Sequence, residues 1–441
     1  MQNRHHQIRH FSTIYILAAI FFAWLLFVLI IFGFTPTNDG VGYLEYAVRC
    51  LHEGAPYPTA TIYRTEPFVW NIGIINLTEL SLWLFHSTGP LLVVLCAMKA
   101  GTALFMGLTT EKLFGSERIA VIAMLLFILY PNNWGQSTMV SSEIPSTFLT
   151  MTAVYLVVAH RQSLRMMALS GLLLALANWF RPTALIFIIA ILLFLLIYDR
   201  RELLKRMTYL LGAFILFAVS VGGICYLRTG HFIYQARSYW FSMVDECYDG
   251  APVGPHWGQP IWPKGYPRYV ENHERMDCFE LERIWKERSL DWLKDHKADY
   301  LKKIPGRLYY MYQSDYDNMP AFLPDKSKSE VNYITLPYRH FFSQVSSLNL
   351  AQWLALVCLL FYFALLVLAM IGVWKMVRKS QFKQLFLPLF IIVGGSLALV
   401  LVMHGETRFK DPFMPYLFML AAMAVHLFDR RKKKHHLARR K

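Results

Sequence analysis

The chain has 441 residues, of which 56% are hydrophobic and 15% aromatic, and it carries a net charge of +15 at neutral pH. Its mean hydropathy is +0.35, whereas soluble domains are about 45–50% apolar, so an ordinary soluble domain is excluded. The positive charge falls in short blocks between apolar runs and in the tail Arg430-Arg431-Lys432-Lys433-Lys434. That pattern marks membrane topology and lipid-surface contact, and no nucleic-acid motif accompanies it, so no nucleic-acid partner is expected.

A spanning helix needs roughly 20 apolar residues, because it must cross about 30 Å at 1.5 Å per residue. The first run, 13–34, meets this test and is too long for a signal peptide. Nine further spans are predicted at 90–110, 118–131, 143–159, 166–180, 182–198, 207–227, 351–374, 384–403 and 413–428. The expected fold is therefore an all-α polytopic membrane protein with about ten transmembrane helices. With the N-terminus inside, the turns carrying Lys112 and Arg118, Arg161 and Arg165, Arg200 and Arg201, and Lys375 and Arg378 all fall on the cytoplasmic side, as does the basic tail. Agreement among so many basic segments supports an even helix count with both termini cytoplasmic.

The remaining segments fall on the opposite face. Residues 35–89 form a first outer loop whose 68–87 stretch is apolar but holds Asn71, Asn76 and Glu79, and it reads as an interfacial amphipathic helix. Residues 228–350 form a large, partly helical outer loop. There the spacing of Leu281, Trp285, Leu290 and Leu293 predicts an amphipathic helix over 277–303. The Pro-, Gly- and Trp-rich stretch 248–267 reads as an irregular loop, either a lid or sugar platform or a plain connection. The organisation expected is a membrane core over 1–227, the large loop over 228–350, C-terminal transmembrane helices over 351–428, and a cytoplasmic tail over 429–441.

Candidate chemistry gathers on the outer face. Asp39, in Asn38-Asp39-Gly40, stands where the first span ends and a new helix starts. It suits a turn or helix cap, and it also suits a general base beside a lipid-bound substrate, with Tyr43 one helical turn on. Arg64 near the interface fits a phosphate or a lipid headgroup. Lys99, central in the second span, calls for a phosphate or carboxylate partner. Glu143 opens a helix, where an acid also complements the dipole. Arg181, before Pro182, interrupts an apolar stretch. His404, Glu406, Arg408 and Lys410 cluster before the last span, fitting either an anionic lipid phosphate or ion pairs among themselves.

Of the six cysteines, Cys96, Cys225 and Cys358 lie in apolar segments, while Cys247 and Cys278 fall where a disulfide between them is conceivable. No Gly-rich phosphate loop, zinc motif or nucleophile elbow is present. No set of residues has convincing metal-ligand spacing, so neither a metal nor another cofactor is expected.

In order along the chain stand Asn38-Asp39-Gly40-Val41-Gly42-Tyr43, Arg64-Thr65-Glu66-Pro67, Tyr130-Pro131, Ser142-Glu143, Phe180-Arg181-Pro182 and Glu406-Thr407-Arg408-Phe409 followed by Pro412 and Pro415. This order resembles the GT-C glycosyltransferases, in particular the bacterial protein O-mannosyltransferase and aminoarabinose-transferase-like group. Many of those proteins carry a second acid after the aspartate, where this chain has Gly40. The resemblance implies a polyprenyl-phosphate-linked (for example undecaprenyl-linked) sugar donor, a lipid, glycan or protein acceptor, and transfer on the extracytoplasmic face. It further implies Asp39 as general base with inversion, Glu143 as a second acid orienting the acceptor, and Arg64, Lys99 and Arg408, with Arg181, as phosphate ligands. A bacterial inner membrane is the location it suggests. A transporter or flippase of lipid-linked sugars, or a polysaccharide ligase or polymerase, are the alternatives. No internal repeat of the kind common in transporters is visible.

Overall fold

The computed structural model describes residues 2–36, 38–64, 66–247, 264–265, 267–323, 345–403 and 405–438. Among them the chain is helical, with no strand beyond an isolated bridge between Val69 and Arg237. The helices are α1 (Gln2–Phe32), α2 (Asn38–Glu53), α3 (Ile72–Phe85), α4 (Gly89–Phe114), α5 (Glu117–Ile128), α6 (Pro131–Gln136), α7 (Glu143–His160), α8 (Leu164–Phe180), α9 (Ala184–Tyr198) and α10 (Leu203–Thr229). There follow α11 (Tyr239–Cys247), α12 (Cys278–Asp295), α13 (Lys297–Lys302), α14 (Ile304–Tyr312), α15 (Leu350–Arg378), α16 (Phe382–Val402) and α17 (Met414–Ala438). A helix stands at each of the ten expected spans.

Among the described residues five helical segments are long and apolar enough to cross a membrane: Thr13–Phe32, Gly89–Phe114, Arg200–Thr229, Leu350–Arg378 and Phe382–Val402. The protein is thus an all-α, multi-pass membrane protein. Others are shorter: α5 has 12 residues and would reach only about 18 Å at 1.5 Å per residue. Helix α1 shows how the bundle is built. Ile14, Ala18, Phe21, Leu25 and Val28 recur at intervals of three and four and are buried, while Ile16, Ile20, Phe27, Ile30 and Ile31 are exposed on the far side. An apolar face outside and an apolar stripe inside is the pattern of a helix at the lipid boundary. Where α8 meets α10, a Cβ at Gly171 would lie 1.9 Å from the Leu210 carbonyl oxygen, so only glycine permits that approach.

Three expectations are corrected here. The amphipathic helix of the first outer loop is α2, with Tyr43, Tyr46, Ala47 and Cys50 buried and Glu45, Arg49, His52 and Glu53 exposed. Helix α3 is instead apolar nearly all round: Ile72, Ile74 and Ile75 are buried and Trp83, Leu84 and Phe85 exposed. Its Asn76 is absorbed by the Tyr57 backbone, accepting from N at 2.7 Å and donating to O at 2.9 Å. In α12 the buried stripe is Cys278, Leu281, Trp285 and Ser289, and Leu290 faces outward. That helix opens on a capping box between Asp277 and Glu280 and ends at His296. Third, Cys247 and Cys278 are both free thiols. Cys247 packs with Met243 and Tyr300, and Cys278 joins a different cluster with Tyr63 and Ile233. Most of the 248–267 stretch lies outside the described residues.

Candidate active site

The helices alternate direction, so the end of α1, the starts of α7 and α17 and the ends of α8 and α16 meet at one end of the bundle. Asp39 lies in the first turn of α2, where a carboxylate faces the positive helix end. Arg408 comes from the 3-10 turn Thr407–Phe413, 369 residues later, and its Nη1 donates to Asp39 Oδ2. The Nε of the same guanidinium lies 3.0 Å from Glu406 Oε1. These three side chains are only partly buried, at 28%, 31% and 30% exposure for Asp39, Arg408 and Glu406.

A second pair stands beside them. Arg181, at the end of α8, donates from Nη1 to Glu143 Oε1 at 2.5 Å, and its guanidinium lies over the Phe409 ring at 5.3 Å. Phe409 thereby joins the two pairs, since it follows Arg408 directly. Ser141 Oγ donates to Glu143 Oε2 at 2.9 Å. Tyr43 is held one turn from Asp39: its hydroxyl donates to Ser142 Oγ at 3.4 Å and accepts from Asn71 Nδ2 at 2.9 Å. Asn71 Nδ2 also reaches Ser142 Oγ at 3.0 Å. Ser142 therefore ties α2, α3 and α7 together.

Burial pushes the Asp39 carboxyl above the ordinary carboxylate range, against the pull of Arg408 and aided by the nearby Glu143 and Glu406 charges. Burial likewise raises the Tyr43 phenol, with Asp39 and Glu143 adding to it. Burial opposes the Arg408 charge, but Asp39, Glu406 and Glu143 more than offset it and lock the guanidinium in its charged form. An aspartate with raised basicity can take a proton, while Arg408 bonded to it and Arg181 on the neighbouring Glu143 are cations able to receive negative charge from a leaving group.

The other predicted cations go elsewhere. Lys410 is fully buried; its Nζ donates to Ser314 O and Thr407 O, each at 2.7 Å, and lies 3.2 Å from Asp315 Oδ1. Tyr130 OH donates to Asp315 Oδ2 at 2.5 Å. Lys99 Nζ donates to Gln136 Oε1 at 2.5 Å, and Gln136 Nε2 to Asp411 Oδ2 at 2.8 Å. The carboxylate partner expected for Lys99 is thus reached through Gln136. Arg64 is exposed at the end of a short turn. His404 lies outside the described residues. Among the described residues no three metal-ligating side chains gather.

The sequence alone assigns no site role to Ser142, Asn71, Gln136 or Asp315. Asn71 was visible as a polar residue at the head of an apolar helix, but Asp315 carries no local signal. The segment between α10 and α15 also buttresses the turn bearing Arg408. Arg307 donates to Val400 O at 2.9 Å and pairs with Glu246 at 2.8 Å. A Cβ on Gly405 would meet the Arg307 carbonyl oxygen at 1.9 Å. A groove of about 370 Å³, lined by Pro56, Leu77, Leu80, Trp83, Trp179 and Phe180 with Asn76 and Glu79, runs between α3 and the end of α8. Its wall residue Phe180 immediately precedes Arg181.

Residues 60–224 match the family model described as dolichyl-phosphate-mannose-protein mannosyltransferase. The matched stretch includes Lys99, Glu143 and Arg181 but neither Asp39 nor Arg408. No curated protein matches the chain. On a multi-pass helical protein, in keeping with the order of its motifs, this family match supports a membrane glycosyltransferase of the GT-C type.

Proposed function

We propose that the protein transfers a sugar from a polyprenyl-phosphate-linked donor to an acceptor hydroxyl, with inversion, on the extracytoplasmic face of a bacterial inner membrane, its two termini in the cytoplasm. The observation that carries this reading is the meeting of Asp39 with Arg408, beside Glu143 with Arg181, at one end of a membrane bundle. The donor's lipid must stay in the bilayer, so its phosphate and sugar present themselves at the interface. The apolar groove ending at Phe180 suits an isoprenoid chain whose phosphate would lie near Arg181.

In the step proposed, the acceptor oxygen bonds to the anomeric carbon as its proton passes to Asp39. The bond from that carbon to the phosphate oxygen breaks, and its electron pair leaves with the polyprenyl phosphate. A phosphate leaving group needs charge stabilisation more than protonation, and Arg408 and Arg181 supply it. Glu143 orients Arg181 and the acceptor, and the acceptor is a lipid, a glycan or a protein. Incubating reconstituted protein with a polyprenyl-phosphate sugar and following donor loss separates an enzyme from a transporter, which would move donor without cleaving it. Asp39→Asn preserves the shape and removes the base. Normal transfer by that variant would end the assignment.

A further inference from the structure

The arginine that would receive the leaving phosphate is the same one that donates to the base. Arg408 Nη1 bonds to Asp39 Oδ2 while its Nε faces Glu406 Oε1 at 3.0 Å. The bonded guanidinium holds the basicity of Asp39 below what burial alone would give it, because the ion pair favours the charged form. A phosphate is a better guanidinium partner than a single carboxylate oxygen, since it offers two or three oxygens to the planar fork. We propose that Arg408 is handed over on donor binding: the phosphate draws Nη1 from Asp39, which reaches its full strength as a base only when donor is in place. Glu406 is the positioning residue, keeping Nε anchored while the other end of the fork changes partner. This rests on the function proposed above and adds to it an order of events.

The geometry around Asp39 fits such an exchange. From the turn before α17 it faces Arg408 and Glu406; from α7 it senses Glu143, whose charge is covered by Arg181 at the end of α8; on its own helix it faces Tyr43. Arg408 is thus the cation paired directly with Asp39, and losing it to an anion leaves Asp39 among carboxylates. Partial exposure of all three members leaves room for a fork to swing. By contrast Arg181 is 13% exposed, and Ser141 also bonds Glu143, so that pair is better placed to stay closed. The two arginines therefore divide the work, one mobile and one fixed.

The test needs no knowledge of the sugar. Full-length protein in detergent is titrated with and without undecaprenyl phosphate, and the Asp39 carboxyl is followed by infrared difference against Asp39→Asn. Lipid binding is followed in parallel through the phosphorus resonance. The expected result is that bound undecaprenyl phosphate moves the protonation midpoint of Asp39 to higher pH. In Arg408→Gln the midpoint should already lie higher without lipid, and the lipid-induced shift should be lost or greatly reduced. Arg408→Lys, which keeps the charge without the fork, covers the case in which the glutamine variant does not fold and should show a smaller shift than wild type. Binding without any shift, or a shift to lower pH, overturns the hand-over and leaves the general-base reading intact. Failure of the lipid to bind at all overturns both.

Discussion

Two ionic clusters sit at the same end of the bundle, both fed by the turn Thr407–Phe413, and they differ in what their charges are free to do. In one, Asp39, Arg408 and Glu406 are about 30% exposed and share a single guanidinium. In the other, Lys410 and Asp315 are 0% and 2% exposed, and two backbone carbonyls complete the lysine's bonds. An ion pair shut away from solvent in this way fixes geometry but is out of a substrate's reach. A partly exposed one can exchange partners. On the function proposed above, the contrast gives chemistry to Asp39 and Arg408, and construction to Lys410, Asp315 and the Lys99–Gln136–Asp411 chain.

Substitutions can break this division. Asp39→Asn should lower transfer by about 10²–10⁴-fold, the usual worth of a general base, with an unchanged thermal unfolding midpoint. A large loss of stability instead would move Asp39 into the structural class. Lys410→Met should do the reverse, costing about 3–5 kcal/mol by leaving Asp315 buried without its cation. Thermal unfolding in detergent measures it, and wild-type stability with lost transfer would erase the distinction. Gly405→Ala should sit between the two, since its methyl would meet the Arg307 carbonyl and shift the turn bearing Arg408. A fall in transfer of about 10²-fold, with a modest stability change, is expected from a displacement near 1 Å. Smallest is Glu406→Gln. Glu406 helps raise the Asp39 carboxyl, so its loss should move the acid limb of kcat/KM to lower pH. A limb that stays in place would show that Glu406 does not act on the base.

Much of this was legible in the sequence because membrane constraints are strict. Apolar runs of fixed length gave the helices, and the basic turns sorted their ends. Asp39, Glu143, Arg181 and Arg408 stood out as charges at helix ends on one side. What could not be read was partnership. For Lys99 and Lys410 the sequence leaves a phosphate and a partner within the protein both open, because Gln136 and Asp315, which engage them, lie 37 and 95 residues away in sequence. The amphipathic helix was assigned to 68–87 on the strength of Asn71, Asn76 and Glu79, yet Asn71 bonds across to Tyr43 and Asn76 to the Tyr57 backbone. Polar atoms satisfied within the fold give the same sequence signal as polar atoms facing water.

The contact between Gly405 and the Arg307 backbone also bears on modularity. On the function proposed above, the large segment 228–350 would read as an exchangeable part, to be swapped when a new acceptor is wanted. Its inner edge, however, is the seat on which the arginine-bearing turn rests. A chimera that replaces 228–350 alone would carry a foreign surface under Gly405, and its donor chemistry would change along with its acceptor. Transplanting the segment together with 403–413 keeps seat and turn matched, and is the exchange that should preserve turnover.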